Sequence, residues 1–128
     1  MIAVDPTVIV RYLVEDDVAQ TDRAEVVLRS GAVMVPKTVI LETAWVLRTR
    51  YRFDRGAIAS GLRRLLGLPG VTVEDPEMAA RALHDQGFDF ADALHLASSR
   101  RTNAFATFDH ALRRKARRVP DLVPVVAP

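Results

Sequence analysis

The sequence predicts an α/β protein, a three-layer α/β/α domain on a central parallel sheet of four to five short strands. Three observations point there. Short apolar runs recur at Ile2–Val4, Ala32–Val35, Val71–Val73 and Ala104–Phe108. Stretches with apolar residues at helical spacing separate them, and connections of that length imply right-handed crossovers and a sheet covered on both faces. Finally, two runs end on an acid, Asp5 and Asp109, at the edge where ligands gather in open parallel sheets.

The elements follow in order. Ile2–Val4 suits a buried parallel strand that delivers Asp5 at its carboxyl end. Pro6 opens a helix, because its missing N–H costs nothing in the first turn, and Val8, Ile9, Tyr12 and Leu13 continue it to Val14. Asp16 and Asp17 can cap a second helix, with Ala19, Ala24, Val27 and Leu28 as its stripe, stopped by Ser30-Gly31. Ala32–Val35 is the second strand. The third helix runs from about Thr38 to Tyr51, with Val39, Ile40, Ala44, Val46 and Leu47 on the buried side and Glu42 standing within that apolar ground. Asp54 caps a fourth helix, 55–66, ended by Gly67, Pro69 and Gly70. After the third strand, Val71–Val73, Pro76 opens a fifth helix that ends near Gly87, and Asp89 opens the sixth. Asp109 follows the fourth strand and can cap a basic seventh helix. Val123, Val125 and Val126 suit a short edge strand, where Pro120, Pro124 and Pro128 are tolerated.

Composition narrows the function classes. With 128 residues, 49% of them hydrophobic, the chain fits a single domain, 1–128, with a real core. It has no cysteine, so thiolate metal sites are excluded, and its three histidines are too scattered for a zinc signature. No apolar run is long enough to span a bilayer, and no signal peptide opens the chain, so a cytoplasmic protein is expected. Walker, dinucleotide and nucleophile-elbow motifs are absent. Charge is uneven: residues 92–128 carry seven Lys and Arg against three Asp, a net +4, which leaves −2 for residues 1–91. The excess sits in Arg100-Arg101 and in the run Arg113, Arg114, Lys115, Arg117, Arg118. Such a run suits either a solvated helix face or an edge that binds a polyanion.

The acids carry the chemistry. Asp89 and Asp92 lie one helical turn apart in a small, apolar segment and should share a volume, where mutual repulsion favours a cation or a shared proton. Asp89 reads equally well as a helix N-cap. One pocket at the carboxyl edge could collect Asp5, Glu42, Asp89, Asp92 and Asp109. Such hard oxygen ligands suit Mg²⁺ or Mn²⁺, and the reaction they serve best is phosphodiester hydrolysis. Of the remaining side chains, His95 reads as a hydrogen-bonded core histidine. Trp45, Tyr51 and Phe53 read as helix packing or a dimer surface rather than as a base-stacking platform, for which 6% aromatic residues are too few, and apolar residues between Val39 and Leu66 exceed one buried stripe, which suggests a homodimer.

The segment Ile2 to Leu13 containing Val4-Asp5-Pro6-Thr7, then Val35-Pro36 leading to Glu42, then Asp89-Phe90-Ala91-Asp92-Ala93-Leu94-His95-Leu96-Ala97, then Thr107-Phe108-Asp109, resembles a PIN-domain ribonuclease of the VapC toxin type. The resemblance covers nearly the whole chain. It implies an endoribonuclease dependent on Mg²⁺ or Mn²⁺ and a cognate antitoxin. It also implies a catalytic quartet of Asp5, Glu42, Asp92 and Asp109, with Asp5, Asp92 and Asp109 on the metal and Asp89 as an auxiliary acid. Where the family has a small residue and then Ser or Asn, this chain has Pro6 and Thr7, whose hydroxyl can still hold Asp5 or a metal-bound water. Arg113, Arg114 and Lys115 are the expected RNA contacts. The alternatives are a PIN-fold binding module without turnover and a structure-specific DNA nuclease.

Overall fold

A computed structural model describes residues 1–85 and 87–128. The chain forms two compact units, Met1–Pro76 and Glu77–Pro128. Among the described residues it has seven helices and five strands, all paired in parallel.

In the first unit, β1 (Ile2–Ala3), β2 (Val33–Val35) and β3 (Val71–Val73) form a parallel sheet in the order β1-β2-β3. Ile2 pairs with Val33, and Val33 in turn with Val71. Four helices accompany it: α1 (Pro6–Val14), α2 (Val18–Leu28), α3 (Lys37–Thr49) and α4 (Arg55–Leu66). Helix α1 packs on α2 and α3, while α4 packs on α3 and β3. Ile9, Leu28, Val33, Val35, Leu47, Leu62 and Leu65 are fully buried and form the core of this unit. Local chemistry sets the helix starts. Asp17 accepts from the Gln20 amide at 3.0 Å and Asp54 from the Ala57 amide at 2.7 Å, each satisfying a first-turn N–H. Gly70, at φ +82°, lies so close to the Gly31 backbone that a Cβ at 70 would strike the Gly31 carbonyl oxygen.

The sequence places Ile2–Val4 in a buried strand, and the structure corrects this. Strand β1 is an edge of its sheet, Ile2 is 50% exposed and Ala3 is exposed, so only Val4 is buried.

The second unit takes in α5 (Pro76–His84) from its second residue, Glu77, and α6 (Phe90–Ser98), which precede β4 (Phe105–Ala106), α7 (His110–Ala116) and β5 (Val125–Val126). Strands β4 and β5 pair in parallel, Phe105 with Val125 and Ala106 with Val126, and α7 packs on β5. The five strands are thus distributed over two sheets, where the sequence suggested one. Strands of two or three residues have few ladder bonds with which to draw neighbours together. Helix α5 stops at His84, short of the expected Gly87. The fourth strand also ends early: Phe108 lies outside it and is 87% exposed. No described helix is long and apolar enough to cross a membrane.

Candidate active site

The first unit holds a cleft of about 320 Å³ between α1 and α3. It starts where the chain leaves β1. Val4 donates to the Met34 carbonyl at 3.3 Å, the last bond to β2, and Asp5 then turns the backbone into α1 as its N-cap. Pro6 has no N–H to satisfy, so the Thr7 amide is the first in need of an acceptor. It donates to Asp5 Oδ1 at 2.7 Å, and the Thr7 hydroxyl donates to the same oxygen at 2.7 Å. The amide first, and the hydroxyl second, hold the Asp5 carboxyl below its ordinary pKa against a small opposing effect of burial. Among the described residues Oδ2 has no partner, so Asp5 is an exposed carboxylate fixed through one oxygen and open through the other.

Helix α3 supplies the facing wall. Glu42, Trp45 and Val46 share one face by their i, i+3, i+4 spacing, and all three line the cleft. Here a second expectation is corrected. Ile40, Thr43, Ala44 and Leu47 are the buried residues of α3, and Glu42 is exposed. It has no hydrogen bond or ion pair among the described residues. Arg50, Tyr51 and Arg11 complete the lining.

The other expected acids belong to the second unit. Asp89 is the N-cap residue of α6 but its carboxylate makes no capping bond; its carbonyl accepts from the Ala93 amide at 2.9 Å. Asp92 sits half-buried in the first turn of the same helix. Asp109 is exposed and caps α7, with Oδ1 accepting from the Leu112 amide at 3.0 Å while its own amide donates to the Thr107 hydroxyl at 3.0 Å. Arg113 is engaged in this turn. Its Nη1 donates to the Thr107 carbonyl at 2.7 Å, and Nη2 lies 3.2 Å from His110 Nδ1. Arg114 and Lys115 are exposed. His95, expected in the core, is also exposed, because Leu94 and Leu96 on either side take the buried positions of α6.

Compared with known protein families, residues 2–118 match the PIN domain. The chain belongs to the PIN-domain family. Curated proteins yield no match. PIN domains are generally nucleases, hydrolases of phosphodiester bonds, and they commonly use divalent metals.

The cleft of this PIN domain suits such a metal in its donor chemistry. Among the described residues no three His, Asp or Glu side chains converge as a metal cage. Mg²⁺ does not need one, since it usually keeps several waters and takes one or two carboxylates with the substrate's phosphate oxygens. Asp5 and Glu42 both line the cleft and supply two carboxylates of that kind. Trp45, Tyr51, Arg50 and Arg11 are the aromatic and cationic lining residues that the sequence did not single out as part of a site. The signal for Trp45 was its place one turn after Glu42, whereas nothing local marks Arg50.

Proposed function

We propose that this PIN domain is a metal-dependent endoribonuclease that hydrolyses RNA phosphodiester bonds, the toxin of a type II toxin–antitoxin pair. The observation that carries the reading is Asp5, a cleft-lining carboxylate whose one oxygen is held by Thr7 and whose other oxygen has no partner among the described residues, in the same cleft as Glu42. Asp5 and Glu42 would hold a Mg²⁺ or Mn²⁺ ion, which would supply a water of lowered pKa and neutralise charge on the scissile phosphate. The protein's part is positional. Thr7 fixes the Asp5 rotamer and keeps the group charged at pH values where an ordinary aspartate begins to protonate. Glu42, unpaired among the described residues, has its acceptor oxygens available to a ligand or to a proton from the attacking water. Asp92 and Asp109 are proposed as further acids of the reaction, with Asp89 auxiliary. A cognate antitoxin and a second copy of the chain are the proposed protein partners.

The test is a cleavage assay on single-stranded RNA and on DNA, in chelator and in Mg²⁺ or Mn²⁺, with Asp5→Asn alongside. Metal-dependent cutting of RNA by the wild-type protein, abolished in Asp5→Asn, supports the reading. Cutting of DNA alone replaces it with the DNA nuclease, and RNA binding without any cutting replaces it with the binding module.

A further inference from the structure

The acids occupy only part of the cleft, and the remainder has a different chemistry. Trp45 is the only tryptophan of the chain and is 59% exposed, although it lies on a helix whose neighbouring positions 43, 44 and 47 are buried. An exposed indole on a packed helix contributes nothing to the core, so its apolar face is available to a ligand. Of the apolar residues between Val39 and Leu66 it is the only large exposed one among the described residues.

The two cations of the cleft differ. Arg11 is committed: its Nη1 lies 2.8 Å from Asp16 Oδ1, an ion pair that raises its pKa through the hydrogen bond and then the charge. Arg50 caps the carboxyl end of α3, is exposed, and has no carboxylate partner among the described residues, Glu42 included. A guanidinium that lines an acidic cleft without pairing to its acids is placed to meet an anion brought by the ligand. Guanidinium matches phosphate with two parallel N–H donors. With Tyr51 also in the lining, the cleft offers an aromatic surface, a cation without a carboxylate partner among the described residues and two carboxylates in a volume of about 320 Å³, near the lower end of small-ligand sites, roughly 300–1,000 Å³.

We propose that this part of the cleft is a subsite for one unpaired nucleotide next to the scissile phosphate, its base stacked on Trp45 and its phosphate held by Arg50. The subsite rests on the nuclease reading and adds to it that the substrate must be single-stranded where it meets α3. A paired base is already stacked within its helix and cannot present a face to an indole. Stacking is indifferent to base identity, so Trp45 selects for strandedness and leaves sequence unread.

Because Trp45 is the sole tryptophan, its emission reports on the subsite directly. The full chain is titrated with short oligoadenylate, with an abasic oligonucleotide carrying the same number of phosphates, and with an RNA duplex, using Ca²⁺ to occupy the oxygen ligands. The proposal expects quenching by oligoadenylate and little by the other two. Trp45→Ala weakens oligoadenylate binding roughly 5- to 150-fold, the range for loss of one stacked base, and Trp45→Phe recovers most of it. Arg50→Ala weakens binding of both the oligoadenylate and the abasic strand, and Arg50→Lys recovers part. Equal quenching by the abasic strand or the duplex overturns the base subsite, as does unchanged affinity in Trp45→Ala. Emission that shifts with protein concentration in the absence of nucleic acid, together with a rise in mass, overturns it in favour of a contact between two copies of the chain. Wild-type protein that cleaves RNA while Trp45→Ala cleaves with unchanged KM removes the subsite and leaves the nuclease reading standing. Quenching by oligoadenylate without metal-dependent cleavage removes the nuclease reading and leaves a single-strand binding site.

Discussion

The Thr7 hydroxyl and the Thr7 amide donate to the same oxygen of Asp5, each at 2.7 Å. Both bonds favour the carboxylate over the acid, and both are absent from the unfolded chain. Asp5 therefore has a lower pKa folded than unfolded, so the extra stability its charge lends the helix cap is fully present above the ordinary aspartate range and is lost as pH falls through the lowered value. Thr7→Val removes the hydroxyl and keeps the amide. We expect the Asp5 pKa, read by NMR titration of its side-chain carbonyl, to rise in this variant but to stay below the ordinary value, since the amide is the larger cause. Thr7→Ser should leave it in place. The acidic limb of the cleavage profile should move up in pH with Thr7→Val. An Asp5 titration identical to wild type would show that the hydroxyl contributes nothing.

Asp5→Asn and Glu42→Gln separate chemistry from stability. The asparagine keeps an oxygen acceptor at the cap, and Glu42 is exposed, so both variants should melt close to wild type. Cleavage, by contrast, should fall by roughly 100-fold or more in each. Chelator should reduce wild-type activity at least as far, reversibly on adding Mn²⁺. A Glu42→Gln protein that cleaves at the wild-type rate would remove Glu42 from the reaction.

The closest backbone approach around a glycine of the first unit is open to a similar test. Gly70 has φ +82° and faces the Gly31 backbone, where a Cβ would clash with the carbonyl oxygen. Strain and clash act together in Gly70→Ala, and we expect a loss of about 1–3 kcal/mol in chemical denaturation. Gly31→Ala, at φ +99° but with open space around its Cβ, should cost less. The reverse order would place the strain in the wrong turn.

These sites differ in how legible they are in the sequence, and the difference is one of range. Asp17, Asp54 and Asp109 cap helices as expected because capping is settled within four residues, by a short acceptor and a nearby free amide. The position of Asp5 follows from the same rule and from Pro6. Glu42 is harder. Val39 and Val46 are half-buried and Ile40, Ala44 and Leu47 are buried, so α3 reads as apolar nearly all round and its sequence does not show which face stays open to α1. Strand β1 fails in the same way: three apolar residues resemble a central strand, yet whether a strand lies inside a sheet or at its edge depends on partners far along the chain. Arg50 stands out only once α3 is placed beside α1 and Arg11 is seen to be held by Asp16.

The basic helix α7 divides into residues with different tasks. Arg113 is bonded to the Thr107 carbonyl and lies beside His110, so it braces the turn that presents Asp109, and its charge is partly spent on that backbone. Arg114 and Lys115 are exposed, with no ion pair among the described residues, and their charges are open to a phosphate backbone. Substituting all three together would confuse these roles. In the double variant Arg114→Ala, Lys115→Ala we expect weaker RNA binding regardless of sequence. The salt dependence should flatten by roughly 0.7 in log–log slope per lost phosphate contact on a single strand, with thermal stability nearly unchanged. In Arg113→Ala the order is reversed: melting temperature and cleavage fall together, because the Thr107–Asp109 turn loosens, while the salt slope changes by at most one contact. RNA affinities over a salt series, measured beside thermal melts of the same proteins, decide the matter. Parallel slopes for wild type and the double variant would make Arg114 and Lys115 a solvated helix face, and a stable, fully active Arg113→Ala would end its role as a brace.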